Sequence, residues 1–562
     1  MDDIKTSVQL ACKQLFGVEI DANLERTEEK FGDYSTNVAM RLAKQVGQNP
    51  LQIAEKICEK LTSSNNFKCE VAKPGFINFR LSSDYWDESF KLALKAGENF
   101  GESGLYDGKK IVVEYSDPNP FKALHAGHLY TSIVGDAIAN LFENAGAKVY
   151  RVNFGGDVGL HVAKTIYAVI KELDGENPDK LEQTAGVDKA GWLSKMYVSG
   201  NEAYKGKAAE SDIKDLNKKL YAISQRKDNK SPLGKIYWTT RQWSYDYFDN
   251  FYKRIGTHFD KYYPESETGL AGMALISEGI KAGVFTRSEG AVVFEAEKYD
   301  LHTRVFINKE GLPTYETKDL GLMKAKKHDF SPNLSVVITG NEQAEYMKVV
   351  IKAMEQLDAA TALATRHITH GLVKLAGGRK MSSRSGNVLG AEDVIKSAEG
   401  ANEALNGKPE PSVALAAVKY SFLKQRLGTD IIFNPEESVS LVGNSGPYIQ
   451  YSYARASSIT SKSTGNAVAS TKLEEDELGL AKKLLEFSDI LDKATKEMHP
   501  HHICNYLFEL AGEFNRFYEN NRVIGDERQA TRLNLINLYK STVKKGLDLL
   551  GMPAPEKLAR AS

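Results

Sequence analysis

"NPFKALHAGHLYTSIVGDAI", residues 119–138, puts His125 and His128 around Ala126 and Gly127, where a loop turns into an apolar-periodic run. Ile133, Ala137 and Leu141 fall on one helical face beside Val134, Ile138 and Phe142, and Gly146 stands where such a helix would be capped. Just before it, "KKIVVEYS" (109–116) is a short β-branched run that reads as a buried strand. Just after it, "AKVYRVNFGGD" (147–157) reads as a second strand ending in glycines. Strand, helix, strand over so short a length is a βαβ unit, which predicts a parallel sheet. The histidines then have two readings. One is a capping turn with two exposed imidazoles. The other is a nucleotide phosphate pocket, because ligands of open parallel sheets gather beyond the carboxyl ends of the strands, beside helix N-termini. Gly127 would let a phosphate or adenine approach the backbone closely.

Outward from this unit, 562 residues are too many for one core and predict three or four domains. Residues 1–85 read as a small α+β unit, with "LQIAEKICEKL" helical and "GFINFRL" alternating like a strand; "LKAGENFGESGLYDGKK" follows as a linker. From 171 to 260 the parallel pattern lapses into Lys-, Tyr- and Asp-rich helical sequence, read as an insertion. Strand-like runs return at "TRVFIN", "LSVVITG" and "ITHGLVKL". Beyond about 395 the chain is almost entirely helix-periodic, as in "HICNYLFELAGEFNRFYENNRVI", which predicts a separate helical domain.

Bulk properties set the boundaries. Hydrophobic residues are 42% and charged residues 26%, ordinary for a globular protein. The net charge of −1 announces no polyanionic partner, so any nucleic-acid contact must use gathered basic patches. Cys12, Cys58, Cys69 and Cys504 are scattered without a C-x-x-C pair, which predicts a reducing compartment and no structural zinc. "MDDIKTSVQL" lacks the basic-then-apolar order of a signal peptide, and no run of about 18 apolar residues exists to span a membrane. A cytoplasmic protein is expected.

The run "ITHGLVKL" leads into "AGGRKMSSRSGNVLG" (376–390), a glycine- and serine-rich basic loop. Lys380 and Arg384 at its centre could wrap a triphosphate and follow its charge as bonds change. On its own such a stretch is more often a flexible surface loop. In order on one parallel sheet, the two signals support each other.

Here the chain resembles a family. "HAGH" looks like the HIGH signature and "KMSSR" like the KMSKS signature of class I aminoacyl-tRNA synthetases. "PNPFKALHAGHL", "RVNFGGDVG", "TYETKDLG", "GNEQAEY" and "GPYIQYSYARASSI" resemble the arginyl-tRNA synthetase family in particular, as does the N-terminal "FGDYSTNVAMRLAK…PGFINFRL". The match runs from about residue 30 to the C-terminus and is weakest at 171–260. The resemblance implies a Rossmann-type parallel-sheet α/β catalytic domain at 107–394. It also implies an N-terminal α+β domain with linker at 1–106 that touches the tRNA elbow, and an all-α anticodon-binding bundle at 395–562. The activity implied is activation of L-arginine by ATP, with Mg²⁺ as the nucleotide's counterion, and transfer of arginine to the 3′-terminal adenosine of tRNA(Arg) by a cytoplasmic monomer. Another class I synthetase and a non-catalytic tRNA-binding paralogue are the alternatives.

Residue by residue, the resemblance gives His125, Gly127, His128, Lys380, Met381, Ser382 and Ser383 to ATP. His125, His128, Lys122, Lys380 and Arg384 become the groups that stabilise charge in the reaction. A pocket for arginine needs acceptors for a planar, always-charged guanidinium. Glu114, Ser116, Asp117 and Asn119 stand at the end of the first strand, Tyr315 and Asp319 lie four apart on one helix face, and Gln343 stands at another strand end. By similarity these hold arginine together with His128: Glu114 and Asp319 face the guanidinium, Tyr315 packs on the stem, and Asn119 and Gln343 hold the α-amino group. The chain departs from the pattern at Ser383, where the second KMSKS lysine is lost and Lys122 is expected to compensate. It departs also at Asp117, Val158 and His161. In the C-terminal helices Tyr448, Tyr451, Arg455 and Phe517 are expected to meet anticodon bases, since aromatic faces beside arginine suit splayed bases. Taken singly, each aromatic is more often core.

Overall fold

The structure is a computed structural model that describes residues 2–61, 66–376, 389–462 and 472–558. The chain divides into two compact units, the first comprising residues 1–100, 462–486 and 512–541 and the second residues 101–461, 487–511 and 542–562.

In the first unit, strands β1 (Glu25–Arg26), β2 (Tyr34–Thr36), β3 (Phe67–Ala72) and β4 (Phe76–Leu81) form an antiparallel sheet in the order β1-β2-β4-β3. Helices Asp2–Phe16, Val38–Val46, Pro50–Leu61 and Ser83–Ala96 supply Val8, Leu42, Ile57 and Trp86 to a core shared with Ile77 and Phe79. The α+β expectation for the N-terminal region is met. One expectation is corrected: Cys58 and Cys69 are not isolated thiols but a disulfide between a helix and β3, with Cα atoms 5.6 Å apart. Neither C-x-x-C spacing nor local pattern marks that pair, because the packing of helix Pro50–Leu61 on the sheet brings it together. Helix Glu475–Leu485 packs Leu478 and Leu485 on the same core, and its Lys482 donates to Asp33 at 2.9 Å.

The second unit is built on five parallel strands: β5 (Lys110–Glu114), β6 (Lys148–Gly155), β7 (Lys261–Pro264), β11 (Leu334–Gly340) and β12 (Thr365–His370), ordered β12-β11-β5-β6-β7. Between β7 and β11 run β8 (Thr286–Ser288), β9 (Ala291–Phe294) and β10 (Arg304–Ile307), a small antiparallel sheet. Thus "TRVFIN" is a strand, but of this minor sheet. "ITHGLVKL" is not one run: it breaks at Gly371 into β12 and β13 (Val373–Leu375), and β13 pairs with β14 (Ile431–Phe433). A Cβ at Gly371 would lie 2.2 Å from the Thr429 carbonyl oxygen, so the break needs glycine. The 171–260 stretch is helical, chiefly Lys189–Ala203, Lys207–Arg226 and Pro232–Ile255.

The chain runs outward from β5 to β6 and β7, then returns to the other side of β5 as β11 and β12. Connections therefore diverge between β5 and β11. In open α/β sheets that divergence leaves a crevice at the carboxyl ends of the strands.

Candidate active site

The crevice is present as a cavity of about 670 Å³. Its wall brings together Glu114, Ser116, Asp117, Asn119, His125, Gly127, His128, Tyr315, Asp319 and Gln343, every described residue expected to hold arginine or ATP. Lys380, Met381, Ser382, Ser383 and Arg384 lie outside the described residues. Leu372, Val373 and Leu389, which flank that stretch in sequence, line the same cavity.

Helix Ala126–Asn144 begins inside the cavity, and both readings of its histidines hold at once. His125 is the N-cap: its Nδ1 accepts from the backbone N–H of Gly127 at 3.1 Å and of His128 at 3.4 Å. His128 Nδ1 reaches back to accept from the His125 N–H at 3.2 Å, closing a capping box. The imidazoles stack with centroids 3.7 Å apart and are not exposed. With each Nδ1 accepting, the ring proton sits on Nε2, so each ring keeps an N–H donor. Burial, with Lys122 and His370 nearby, pushes the His125 pKa down to about 4, and burial with the neighbouring His125 and Lys122 depresses His128 further. The site therefore offers two neutral donors at a helix N-terminus, suited to phosphate oxygens. Helix end and cap differ slightly from expectation: the cap is Ala145, with Gly146 beyond it at φ 88°. Lys122 does not line the cavity. It stands close enough to act on both imidazoles, its ammonium 5.9 Å from the Tyr197 ring.

Immediately after β5 the backbone takes positive φ at Ser116 (73°), Asp117 (48°) and Phe121 (71°). Three such non-glycine residues within six positions store strain, which surrounding structure must hold in place. The holders are visible. Ser116 Oγ lies 2.8 Å from the Tyr252 hydroxyl, Asp117 accepts from the Phe154 N–H at 2.7 Å, Asn119 Oδ1 accepts from the Gly156 N–H at 3.0 Å, and the Phe121 N–H donates to Ser244 at 2.9 Å. The bond to Gly156 uses the Asn119 oxygen and leaves its amide free to donate. Departures sit close by: Val158 is buried, and His161 donates Nε2–H to the Gly156 carbonyl at 2.8 Å.

The acids of the wall fall into two classes. Glu114 is paired with Lys326, and Glu265 with Lys318, both pairs almost wholly buried. Asp117 and Asp319 form no ion pair with any described residue. Burial and the neighbouring Glu114 drive Asp117 well above the usual carboxylate range, against the hydrogen bond from the Phe154 N–H and the charge of Lys326. Burial raises Asp319 to about 8, against the hydrogen bond donated by the Tyr346 hydroxyl. A desolvated carboxylate outside any ion pair is unfavourable, and this arrangement suits a cationic ligand.

Sequence reasoning missed Glu265, Arg304, Glu316, Glu342, Tyr346 and His370 on the wall. Tyr346 closes the "GNEQAEY" motif and could have been read from it. Arg304, whose guanidinium is 3.3 Å from Glu316 and 5.2 Å from the Tyr346 ring, arrives from the minor sheet and carries no local signal. Among the described residues no three His, Cys, Asp or Glu side chains are grouped to hold a metal ion.

Of the candidate anticodon residues, Tyr448, Tyr451 and Arg455 are half-buried on helix Gly446–Ser461, with the Arg455 guanidinium 5.2 Å over the Tyr451 ring. Phe517 is corrected. It is 5% exposed and packs internally, leaving no face for a base. The neighbouring Tyr518 is 39% exposed, one position along the helix and therefore turned outward. In the first unit a second cavity, of about 380 Å³, is walled by Arg26, Phe31, Phe76 and Asn78 among others.

Three family profiles match in order: "Arginyl tRNA synthetase N terminal domain" over residues 2–81, "tRNA synthetases class I (R), catalytic domain" over 92–434, and "DALR anticodon binding domain" over 449–558. The arginine–tRNA ligases of Flavobacterium psychrophilum and Porphyromonas gingivalis are each 30% identical, over 99% of this chain and 99–100% of theirs. Solved arginyl-tRNA synthetases of Thermus thermophilus (TM-score 0.80, 23% identity, 99% of this chain and 100% of that one) and Plasmodium falciparum (0.82, 24%, 99% of each) share the fold. The profile that matches more than half of the chain, and the cavity it encloses, place this protein in the arginyl-tRNA synthetase family of class I aminoacyl-tRNA synthetases.

Proposed function

We propose that the 670 Å³ cavity is where this arginine–tRNA ligase performs both of its half-reactions, and that its unpaired acids select arginine. The enzyme activates L-arginine with ATP and transfers it to tRNA. The observation that carries the site assignment is the pair of half-buried carboxylates on the cavity wall, Asp117 and Asp319, neither of them in an ion pair with any described residue. Arginine brings two cations. Its guanidinium pairs with Asp319, with Glu114 adding an acceptor while it stays on Lys326, and Tyr315 lies on the aliphatic stem. Its α-ammonium sits near Asp117, held by Ser116, Asn119 and Gln343. The substrate carboxylate is thereby aimed at the imidazole end of the cavity.

There the carboxylate oxygen attacks the α-phosphorus of ATP and the bond to pyrophosphate breaks. Charge builds on the non-bridging and leaving oxygens, and the task of the protein is to receive it. His125 and His128 donate through Nε2–H, and Gly127 leaves room for the phosphates. Lys380, with Met381, Ser382, Ser383 and Arg384, supplies the cationic partner that the KMSSR resemblance implies. Mg²⁺ enters as the counterion of ATP. The ribose hydroxyl of the terminal adenosine of tRNA then attacks the adenylate carbonyl, expelling AMP. Lys122 adds positive charge beside the histidines, in place of the lysine missing at Ser383. Lys122→Ala should lower kcat of activation about tenfold and leave arginine KM within twofold; an unchanged kcat removes Lys122 from the mechanism.

The tRNA is gripped by the N-terminal domain, where exposed Phe31 and Phe76 flank a polar cleft suited to an unstacked base. It is gripped also by the C-terminal helices through Tyr448, Tyr451 and Arg455. We keep the domain divisions after 106 and 394, a monomer and a cytoplasmic location as part of this reading. No helix among the described residues is long and apolar enough to cross a membrane.

The experiment is arginine-dependent ATP–pyrophosphate exchange, run with and without tRNA, on the wild-type and on Asp319→Ala. Loss of one partner of a buried charge pair predicts an arginine KM raised about a thousandfold, with ATP KM little changed. A near-normal arginine KM defeats the assignment.

A further inference from the structure

A buried polar junction ties the end of the chain to the helix that bears both histidines, and the chemistry above leaves it unused. Asp136, two turns along helix Ala126–Asn144 from His128, is buried and accepts from Thr257 Oγ1 at 2.8 Å. Thr257 Oγ1 in turn lies 3.0 Å from the hydroxyl of Tyr115, the residue between Glu114 and Ser116. On the far side stands Lys419 of helix Pro411–Leu423, only 1% exposed, whose ammonium donates to the Gly551 carbonyl at 2.6 Å. One turn beyond Asp136, the Asn140 amide donates to the carbonyl of Leu549 at 3.2 Å and to that of Asp548 at 3.4 Å, while its oxygen accepts from Arg151 at 2.6 Å. Gln450 donates to the Pro553 carbonyl at 2.7 Å.

The Asp548 and Leu549 carbonyls belong to the last turn of helix Gln529–Leu549, that of Asp548 also accepting from the Gly551 N–H at 2.9 Å, while Gly551 and Pro553 lie just beyond it, and a cation there suits the helix dipole. The fit is close. Gly551 has φ 65°, and a Cβ on it would lie 2.8 Å from Lys419 Nζ and 3.0 Å from Asp136 Oδ2. Lys419 is otherwise costly: burial depresses its pKa, with Asp136 opposing that shift. Surface-exposed capping would serve stability without such a cost. Gly551 is thus seated between a buried ammonium and Asp136, and from Asp136 hydrogen bonds run through Thr257 to Tyr115, next to the strained loop at 116–119.

We infer that Lys419 and Asp136 are positioning residues for arginine activation: seating the Gly551 carbonyl on Lys419 holds the end of β5 so that Ser116, Asp117 and Asn119 present arginine to ATP in reacting geometry. This rests on the reading of 114–119 as the arginine wall. The test is arginine-dependent exchange by the full-length chain with saturating tRNA, at a temperature where each variant is folded by circular dichroism. Lys419→Met should lower kcat about tenfold, as expected for a small misplacement of the reacting groups, with ATP KM within twofold, and Lys419→Arg should recover most of it. Gly551→Ala, which crowds the same atoms, should give a similar loss, and the double variant should lose no more than the worse single one. A purely structural junction would lower the melting temperature and leave kcat of the folded protein alone. A folded Lys419→Met with wild-type kcat, or losses that multiply in the double variant, overturns the inference. Should Lys419→Met not fold, wild-type kcat in Gly551→Ala overturns it equally. Failure of the arginine-wall reading is separate, since it would appear as unchanged arginine KM in Asp319→Ala.

Discussion

The two ends of the cavity solve opposite electrostatic problems. At the acidic end the protein gathers carboxylates and compensates only some of them: Lys326, Lys318 and Arg304 pair with Glu114, Glu265 and Glu316, while Asp117 and Asp319 are left for the ligand. At the imidazole end the protein keeps His125 and His128 uncharged by burial and by tying each Nδ1 to backbone N–H groups. A cationic substrate thus meets uncompensated negative charge, and an anionic one meets neutral, oriented donors. Donors that need no proton to function keep working over a wide pH range, and they do not hold the pyrophosphate product as tightly as fixed charges would.

The contrast is broken most severely at the imidazole end. Removing a donor aimed at developing charge costs about 10²–10³ in kcat. His128→Ala and His125→Ala should each show that loss in exchange, with arginine KM changed no more than a few-fold. His125→Ala should lose somewhat more, because it also removes the N-cap, worth about 1 kcal/mol of helix stability. Arginine KM rising in parallel with the fall in kcat would mean that the imidazoles bind the amino acid rather than the phosphates.

At the acidic end, paired and unpaired carboxylates should respond in opposite ways. Glu114→Gln strands the Lys326 ammonium in the interior, which should destabilise the arginine-free enzyme by about 3 kcal/mol in urea unfolding. Asp319→Asn replaces a carboxyl that no ion pair holds and that is largely protonated in the empty enzyme, so its unfolding midpoint without arginine should be no lower than that of the wild-type, even though its arginine binding collapses. Equal destabilisation by the two changes would erase the distinction.

How much of this the sequence discloses follows from how far apart the partners lie in the chain. His125, His128, Tyr315 and Asp319 are legible because their chemistry is local: a strand end, a helix start, an i, i+4 pair. The parallel sheet is legible from β5, the Ala126–Asn144 helix and β6 for the same reason. The compensating lysines are not, since Glu265 and Lys318 are separated by 53 residues and Glu114 and Lys326 by 212. Nothing in "TYETKDLG" distinguishes Lys318, turned to Glu265, from Asp319, turned to the cavity. "TRVFIN" reads as a strand and is one, but its place in the minor sheet is not legible, because a strand's sequence states its propensity and not its partner. Phe517 shows the limit in reverse: a helical aromatic next to polar residues fits a base-stacking face and a core face equally well, and packing decides for the core.

The gentlest way to sharpen the contrast is pH. A carboxyl raised to about 8 is largely protonated in the empty enzyme at pH 7, whereas arginine needs it ionised. Binding must therefore expel a proton, and the sign follows. Below about pH 8 the proton competes and arginine KM rises as pH falls; above it the competition ends. The same shift makes Asp319 a group whose charge weakens the arginine-free fold as pH climbs from the ordinary carboxylate range toward 8 and beyond, the reverse of a salt-bridged acid. Between pH 8.5 and 6.5 arginine KM should rise by several-fold, up to the tenfold per unit that full competition sets. Calorimetry of arginine binding at pH 7, in buffers of different ionisation enthalpy, should detect proton release, and less of it in Asp319→Asn, where Asp117 alone is left to lose one. The imidazole end should contribute nothing to this profile, since His125 titrates only near pH 4. A flat arginine KM across that range, with no buffer-dependent heat, would mean that Asp319 is already ionised before arginine arrives.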